Sequence, residues 1–320
     1  MNRNKTSSDR LEKHEPNVGD QPQCPACLAK EAERIGEVYH GEPLQVAHVV
    51  LDFPAIPFFL YRCKSCSFQF KNPTIPAEKL LDCYERAAGD RWEVDVDPIE
   101  RNYDRILAAI QAVVPQGRLL DVGCSHGTFL KYVSAKYQPF GIEPSTEAAE
   151  MTRSLGFDIL GGTIGDLDSD SRFDVIVAMD VLEHLPDPRE FFESVSKHLN
   201  LGGIFVATTG NTDAWSWKLQ KARYWYCAFP EHVSFYNSQS LERLAKEFDM
   251  CLKSTQRMSY KRSSLSRRML QNIKGIVFTI GVRLKWLGVA RLRRKYARRV
   301  GTGWTASWDH AIAVIQKNGR

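Results

Sequence analysis

The chain has 320 residues, 43% apolar and 25% charged, which is ordinary for a globular protein and enough for one sizeable α/β domain plus a small appendage. No run of about 18 uncharged apolar residues occurs, so no membrane-spanning helix is expected, and the opening M-N-R-N-K-T-S-S-D-R lacks an apolar signal core, so secretion is not expected. The net charge of +5 hides a split: fifteen Lys or Arg and no Asp or Glu lie between Asp249 and Asp309, leaving 28 basic against 38 acidic residues elsewhere, a net of −10.

Residues 1–22 are polar and predict a disordered tail. Cys24-Pro-Ala-Cys27 and Cys63-Lys-Ser-Cys66 then form two C-x2-C pairs with 35 residues between them. Each pair makes a knuckle that can aim two thiolates at one tetrahedral Zn2+. Four thiolates close the coordination sphere, the pattern of a structural site and not a catalytic one. A redox pair and four ordinary buried thiols are the other readings. Eight cysteines without a signal core point to reduced thiols or metal ligands, not to a disulfide framework. The β-rich, proline-containing stretch 46–61 fits a zinc ribbon over residues 23–72, and the long interval predicts an extended hairpin. A helical connector is expected over 73–116, with helices near 77–86 and 99–113.

Residues 121–129 read D-V-G-C-S-H-G-T-F, between an apolar run at 118–120 and a helix-like stretch at 130–137. A strand, a tight glycine turn and a helix N-terminus in that order make a nucleotide-type cradle. Gly123 lets the backbone turn sharply, and Gly127 removes a Cβ where a ligand must come close. A second apolar run, 139–142, ends in Glu143, which can accept hydrogen bonds from two ribose hydroxyls. The spacing D-x-G-x-x-x-G departs from the dinucleotide fingerprint. Asp121 would repel a phosphate and attract a cation or an amino group.

Further on, F-D-V-I-V-A-M-D at 173–180 is a buried-strand run followed by V-L-E-H-L-P-D-P. Pro188 suits the first turn of a helix over 189–199. Asn-Leu-Gly-Gly at 200–203 stops that helix, and 204–208 is another strand. Taken together, residues 117–210 resemble the class I S-adenosylmethionine (SAM)-dependent methyltransferases. The front end is similar to that of bacterial members acting on sugars, polysaccharide precursors or small natural products: two cysteine knuckles, N-P-T-I-P at 72–76, and a helix with a tyrosine, here Tyr84. The resemblance implies an α/β fold, a doubly wound, mostly parallel, seven-stranded Rossmann-like sheet with a small N-terminal zinc ribbon. Strands are expected near 118–122, 139–143, 158–161, 173–179, 204–209 and 250–258, a helix over 240–248, and a closing antiparallel strand at 311–317. The catalytic core is then 117–258 with 309–320, and 259–308 is a basic insertion.

At the carboxyl ends of these strands the resemblance implies a SAM site made of Asp121, Gly123, Gly127, Glu143, Thr163, Ile164 and Asp180. Gly123 and its neighbours would meet the amino-acid part, Glu143 the ribose, Thr163 and Ile164 the adenine, and Asp180 the methionine end. Methyl transfer is an in-line displacement that needs a positioned nucleophile, and a hydroxyl acceptor benefits from a base. His232, in F-P-E-H-V-S-F-Y, and His184, in L-E-H-L-P, are the candidates; hydrogen bonding to loop backbone is the other reading of each. The aromatic stretch 214–229 either lines an acceptor pocket or packs on the core. The expected activity is methyl transfer to a small or lipid-linked acceptor, such as a sugar, glycan or natural-product hydroxyl. An RNA methyltransferase using the ribbon and basic segment, and a non-catalytic SAM-binding docking module, are the alternatives. The D/N-P-P-Y/F motif of base amino-group methylation is absent after the fourth core strand.

Within the basic segment, Ile273, Ile276, Val277, Ile280, Leu284 and Leu287 fall on one helical face beside Trp286 and dense Arg and Lys. This pattern suits an anionic membrane surface through 273–300. Plain packing with a solvated basic face, and a nucleic-acid surface, are the other readings. The expected location is the cytoplasm, peripheral on the inner face of the membrane if the segment meets lipid.

Overall fold

A computed structural model describes residues 22–40, 43–54, 56–86, 101–260, 264–284 and 308–319. Residues 1–21 of the expected tail, and Trp286 and Leu287 of the basic segment, lie outside the described residues. The N-terminal part contains β1 (Ala32–Val38), a small hairpin of β2 (Gln45–Val46) and β3 (Val49–Val50), β4 (Phe58–Cys63), β5 (Gln69–Asn72) and α1 (Ala77–Glu85). After α2 (Tyr103–Gln111) come β6 (Gly117–Val122), α3 (Thr128–Val133), β7 (Tyr137–Ile142), α4 (Thr146–Ser154), β8 (Asp158–Ile159), β9 (Phe173–Met179), α5 (Pro188–His198) and β10 (Leu199–Gly210). The chain continues through α6 (Trp215–Gln220), β11 (Ser234–Phe235), α7 (Ser238–Glu247), β12 (Met250–Met258), α8 (Leu265–Leu284) and β13 (His310–Lys317).

The main sheet has seven strands in the order β12-β13-β10-β9-β6-β7-β8. β6, β7, β8, β9 and β10 pair in parallel, while β13 runs antiparallel to both β10 and β12. Strand alternation sends Leu120, Ile176, Phe205 and Ala313 to a core shared with α5 and α7. It sends Leu119, Val175, Val206 and Ile312 to the other face, against α2 and α3. This is the doubly wound, mostly parallel sheet expected from the sequence. Pro188 does occupy the first turn of α5, whose N-cap Asp187 accepts from the backbone of Arg189 and Glu190 at 2.9 and 3.2 Å. The helix expected over 130–137 is shorter: α3 ends at Val133, and Tyr137 opens β7, buried with its hydroxyl donating to the Val114 carbonyl at 2.6 Å.

The cysteine-bearing part has a ladder of its own, β1 antiparallel to β4 and β4 to β5, with the β2–β3 hairpin in the long interval. Its fourth strand comes from the core: β11 pairs with β5, Ser234 opposite Phe70 and Phe235 opposite Gln69. Phe68 and Phe70 also share one apolar core with Tyr236, Leu241 and Leu244. The ribbon is therefore built onto the core across both a strand ladder and a packed interior.

Candidate functional site

The strand-to-helix turn after β6 has two left-handed glycines, Gly123 at φ 75° and Gly127 at φ 70°. A Cβ on Gly123 would lie 2.8 Å from Val181 Cγ2, and one on Gly127 2.8 Å from Thr152 Cγ2, so neither position has room for a side chain. The turn is pinned by Gly123 and Cys124 N–H donating to the Ile142 carbonyl at 2.8 and 3.1 Å. Glu143 closes it from the next strand: one carboxylate oxygen accepts from Ser125 N–H at 2.8 Å, the other from Ser145 N–H at 2.9 Å. Each oxygen keeps a lone pair for a ligand hydroxyl. Burial raises the Glu143 pKa against the pull of those two N–H groups.

Asp121 is fully buried, and neither carboxylate oxygen has a hydrogen-bond partner among the described residues. Burial, with the Glu143 charge beside it, pushes its pKa well above the ordinary carboxylate range. An orphaned buried carboxylate next to a glycine cradle fits a cationic ligand, and SAM has both a sulfonium and an amino group. After β8, Asp166 accepts from Gly162 and Thr163 N–H at 3.0 and 2.7 Å and from Thr163 Oγ1 at 3.1 Å, and Ile164 is buried. Asp180, at φ 54°, directly follows β9, with its N–H donating to the Thr208 carbonyl at 3.0 Å. The structure thus gathers all seven expected cofactor residues at the carboxyl edge of β6, β7, β8 and β9.

His184 and His232 lie together on the neighbouring rim, ring centroids 4.8 Å apart. His184 Nδ1 is 2.7 Å from Tyr84 OH, and His232 Nδ1 is 3.0 Å from the Tyr226 carbonyl. The second contact makes Nδ1 the protonated nitrogen of neutral His232 and leaves Nε2 as its acceptor. Burial, then the Lys71 charge, takes His184 down to about 4. Burial, His184 and Lys71 take His232 well below its ordinary value. Both imidazoles are therefore neutral at physiological pH. Glu183 lies beneath them, buried, accepting from Tyr226 OH on one oxygen and from Thr209 Oγ1 on the other at 2.8 Å. Burial, then Asp180, pushes Glu183 up to about 7. Ligand atoms of Glu183, His184 and His232 lie within 4.8 Å of one another. Both Glu183 oxygens are hydrogen-bonded and Lys71 acts on both histidines, so the group reads as a hydrogen-bonded rim.

Three contributors escaped the sequence reading. Lys71, on β5 of the ribbon, is buried and donates to the carbonyls of Phe229 and Pro230 at 2.5 and 3.5 Å, while its N–H donates to the Val233 carbonyl at 3.0 Å. Burial brings its pKa down to about 7. Asp309 and His310, where β13 begins, form a buried dyad with Nδ1 and Oδ1 3.0 Å apart, and Tyr224 OH donates to the other Asp309 oxygen at 2.5 Å. Burial lowers the His310 pKa, but Asp309 outweighs it and the net shift is upward. Burial raises the Asp180 pKa, and His310 opposes that rise. A histidine far along the chain beside an aspartate was the only available signal. Of the aromatic stretch, Trp217, Tyr224 and Tyr226 are buried as core, while Trp215 and Phe229 remain exposed.

The four cysteines converge. Cys24 Sγ lies 3.7 Å from Cys66 Sγ and Cys27 Sγ 3.5 Å from Cys63 Sγ, with all four within 4.8 Å. The two knuckles repeat one backbone pattern. Cys24 N–H donates to the Ala29 carbonyl and Leu28 N–H to Cys24; Cys63 N–H donates to Phe68 and Ser67 N–H to Cys63. Leu28 and Ser67 are both left-handed, at φ 59° and 60°.

Residues 96–252 match the family described as a methyltransferase domain. Among curated proteins, the ubiquinone biosynthesis O-methyltransferase of Nitrobacter winogradskyi is 32% identical over 125 residues, 37% of this chain and 46% of that protein. The protein of the same name from Alkalilimnicola ehrlichii is 26% identical over 181 residues, 52% of this chain and 72% of that protein. The chain thus spans under half the length of the first relative. In fold, it is similar to magnesium protoporphyrin IX methyltransferase from Synechocystis PCC 6803, solved with bound SAH, at a TM-score of 0.50 and 10% identity, covering 76% of this chain and 100% of that one. Sheet order, glycine turn and family match agree: the chain carries a class I SAM-dependent methyltransferase domain.

Proposed function

We propose that the protein transfers the SAM methyl group to a hydroxyl of a small or lipid-linked acceptor, a sugar, glycan or natural-product intermediate. The supporting observation is the rim beside the cofactor edge, where two neutral imidazoles lie over a buried carboxyl group. When bound, SAM supplies a methyl group on a positively charged sulfur. Gly123, Gly127 and Glu143 would hold its amino-acid and ribose parts, Thr163 and Ile164 its adenine, and Asp121 and Asp180 its cationic end. His232 would offer Nε2 to the acceptor hydroxyl and take its proton, the methyl group passing from sulfur to that oxygen with S-adenosylhomocysteine as the leaving group, and His184 is packed beside it. With Nδ1 donating to the Tyr226 carbonyl, neutral His232 keeps Nε2 as its acceptor atom. Curated relatives named as O-methyltransferases add support for an oxygen acceptor.

The same reading gives the four cysteines one structural Zn2+. A tetrahedron with Zn–S of about 2.3 Å has sulfurs about 3.8 Å apart, close to the 3.5 and 3.7 Å of the two cross-knuckle pairs. Four thiolates this close would repel one another without a cation between them. The test is incubation with SAM labelled on the methyl group and separate lipid, small-molecule and RNA fractions of a bacterial extract. Label in the lipid or small-molecule fraction, lost in His232→Ala, is expected. Label confined to RNA would replace this reading with the nucleic-acid one.

A further inference from the structure

Helix α8 is amphipathic the wrong way round for a helix of a soluble surface. Gly275, Phe278, Thr279 and Gly281 are buried toward the body of the protein. The opposite face carries Met269, Leu270, Ile273, Ile276, Val277 and Ile280, each 42–67% exposed. These six recur at spacings of three and four, so they form one continuous apolar stripe. The stripe borders a groove of about 610 Å³ between α6 and α8, lined by Trp215, Lys218, Leu219, Ile276, Thr279 and Ile280. Trp215 is itself half exposed at its mouth. Arg267 and Lys274 are exposed on the same helix, and Lys218 and Lys221 on the facing segment. Among the described residues no helix is long and apolar enough to cross a membrane.

We propose that this face docks on a bilayer surface containing anionic lipid, α8 lying in the interface with its apolar stripe among the acyl chains. Charge selects this occupant: the stretch from 250 to 308 holds fifteen Lys or Arg and no acidic residue, a composition that favours anionic headgroups and resists a like-charged copy of itself. The apolar character selects against nucleic acid, because a phosphate-binding helix turns Arg and Lys outward, whereas here isoleucine, leucine and methionine are outward. A 20-residue helix is about 30 Å long, and seated flat it brings an acyl or isoprenoid chain to the groove beside α6. The face is reached without any acceptor, so the inference goes beyond methyl transfer and is tested apart from it.

The experiment is co-sedimentation of the full, zinc-loaded chain with vesicles of phosphatidylcholine and phosphatidylglycerol in equal parts, with phosphatidylcholine alone, and at low and high salt. Expected are pelleting with the anionic vesicles, weaker pelleting on neutral ones, and partial release by salt. Ile276→Asp with Ile280→Asp should weaken vesicle binding about tenfold or more, with SAM affinity and melting temperature retained. Should that pair fail to fold, Val277→Asp alone and Lys274→Glu provide the same readout. Wild-type protein left in the supernatant overturns the inference. So does equal pelleting on neutral vesicles, or undiminished pelleting of the folded Asp variants. A wild-type dimer that the variants convert to monomer, without vesicle binding, would assign the face to a second copy and also overturn it.

Discussion

Asp121→Asn should stabilise the protein while weakening its hold on SAM. In the folded chain the Asp121 carboxyl is fully buried without a partner, and its pKa lies well above the ordinary 3.8. Between 3.8 and that raised value the folded state retains a proton that the unfolded chain has released, so stability falls as pH rises through this window. Each pH unit costs about 1.4 kcal/mol, which bounds the penalty at pH 7 at about 4 kcal/mol. Asparagine leaves an unpaired amide in the same place but has no proton to hold. The variant should therefore melt several degrees higher at pH 7, by about 2–4 °C per kcal/mol at most for a chain of this size. The gain should shrink steadily with acidification and disappear near pH 4. SAM binding should show the opposite, about tenfold or more weaker, since the negative charge facing its cationic end is gone. Melting curves across pH, with and without SAM, plus calorimetric titration, measure both. A variant less stable than wild type at pH 7, or one with unchanged SAM affinity, would show that Asp121 already has a partner and refute the reasoning.

Glu143→Ala removes the acceptors for Ser125 and Ser145 N–H together with the ribose contact; SAM affinity should fall at least about tenfold, and unchanged affinity by calorimetry would contradict the ribose assignment. His232→Ala should slow methyl transfer by about a hundredfold while SAM still binds; undiminished turnover on the labelled fraction would remove it as the base. Lys71→Met takes away a positive charge that depresses both rim histidines, so their pKa values should rise, His184 from about 4; imidazole resonances followed by NMR against pH decide it, and static values would mean the charge is screened from them. Stripping metal with a chelator should release one zinc per chain and lower the melting temperature, leaving SAM affinity within about threefold; metal-free preparations with an unchanged melt would make the four cysteines plain thiols.

The placement of the candidate cofactor residues was legible because its information is local. Asp121, Gly123 and Gly127 lie within one strand-to-helix turn, and Glu143 ends the very next strand, so periodicity and two obligatory glycines place them without knowledge of the fold. Buried parallel strands such as β9 are unbroken apolar runs, and these were recovered nearly residue for residue. The acceptor half depends on register between distant segments. Nothing in the neighbourhood of Lys71 announces that its ammonium will meet a carbonyl at 229, and Ser234–Phe235 is too short to signal a strand. The Asp309–His310 dyad acquires meaning only because β13 runs antiparallel to β10, opposing His310 to Gly210 at the carboxyl edge. The end of α3 was misjudged for a related reason. Tyr132 to Tyr137 suits a helix by composition, but Tyr137 is drawn into β7 by its pairing with Gly117 and its bond to Val114.

These long-range contacts bear on why cysteine knuckles and a methyltransferase core share one chain. β11 begins two residues after His232 and is hydrogen-bonded to β5, whose other neighbour is β4, and β4 ends on Cys63. Lys71 ties the carbonyls on the opposite side of His232 to the same strand. The loop bearing the imidazole is thus held from both ends by the sheet that carries Cys63 at the end of β4. A loop alone would sample many arrangements, and under the proposed reading of His232 as base a displacement of about 1 Å would lose much of its advantage. Lys71 adds an electrostatic part: burial is the main cause of the lowered histidine pKa values, and the Lys71 ammonium, when protonated, lowers them further. The cysteine-bearing sheet thus holds the His232 loop through its strand ladder and through Lys71, while the glycine turn and Glu143 lie on β6, β7 and their following loops.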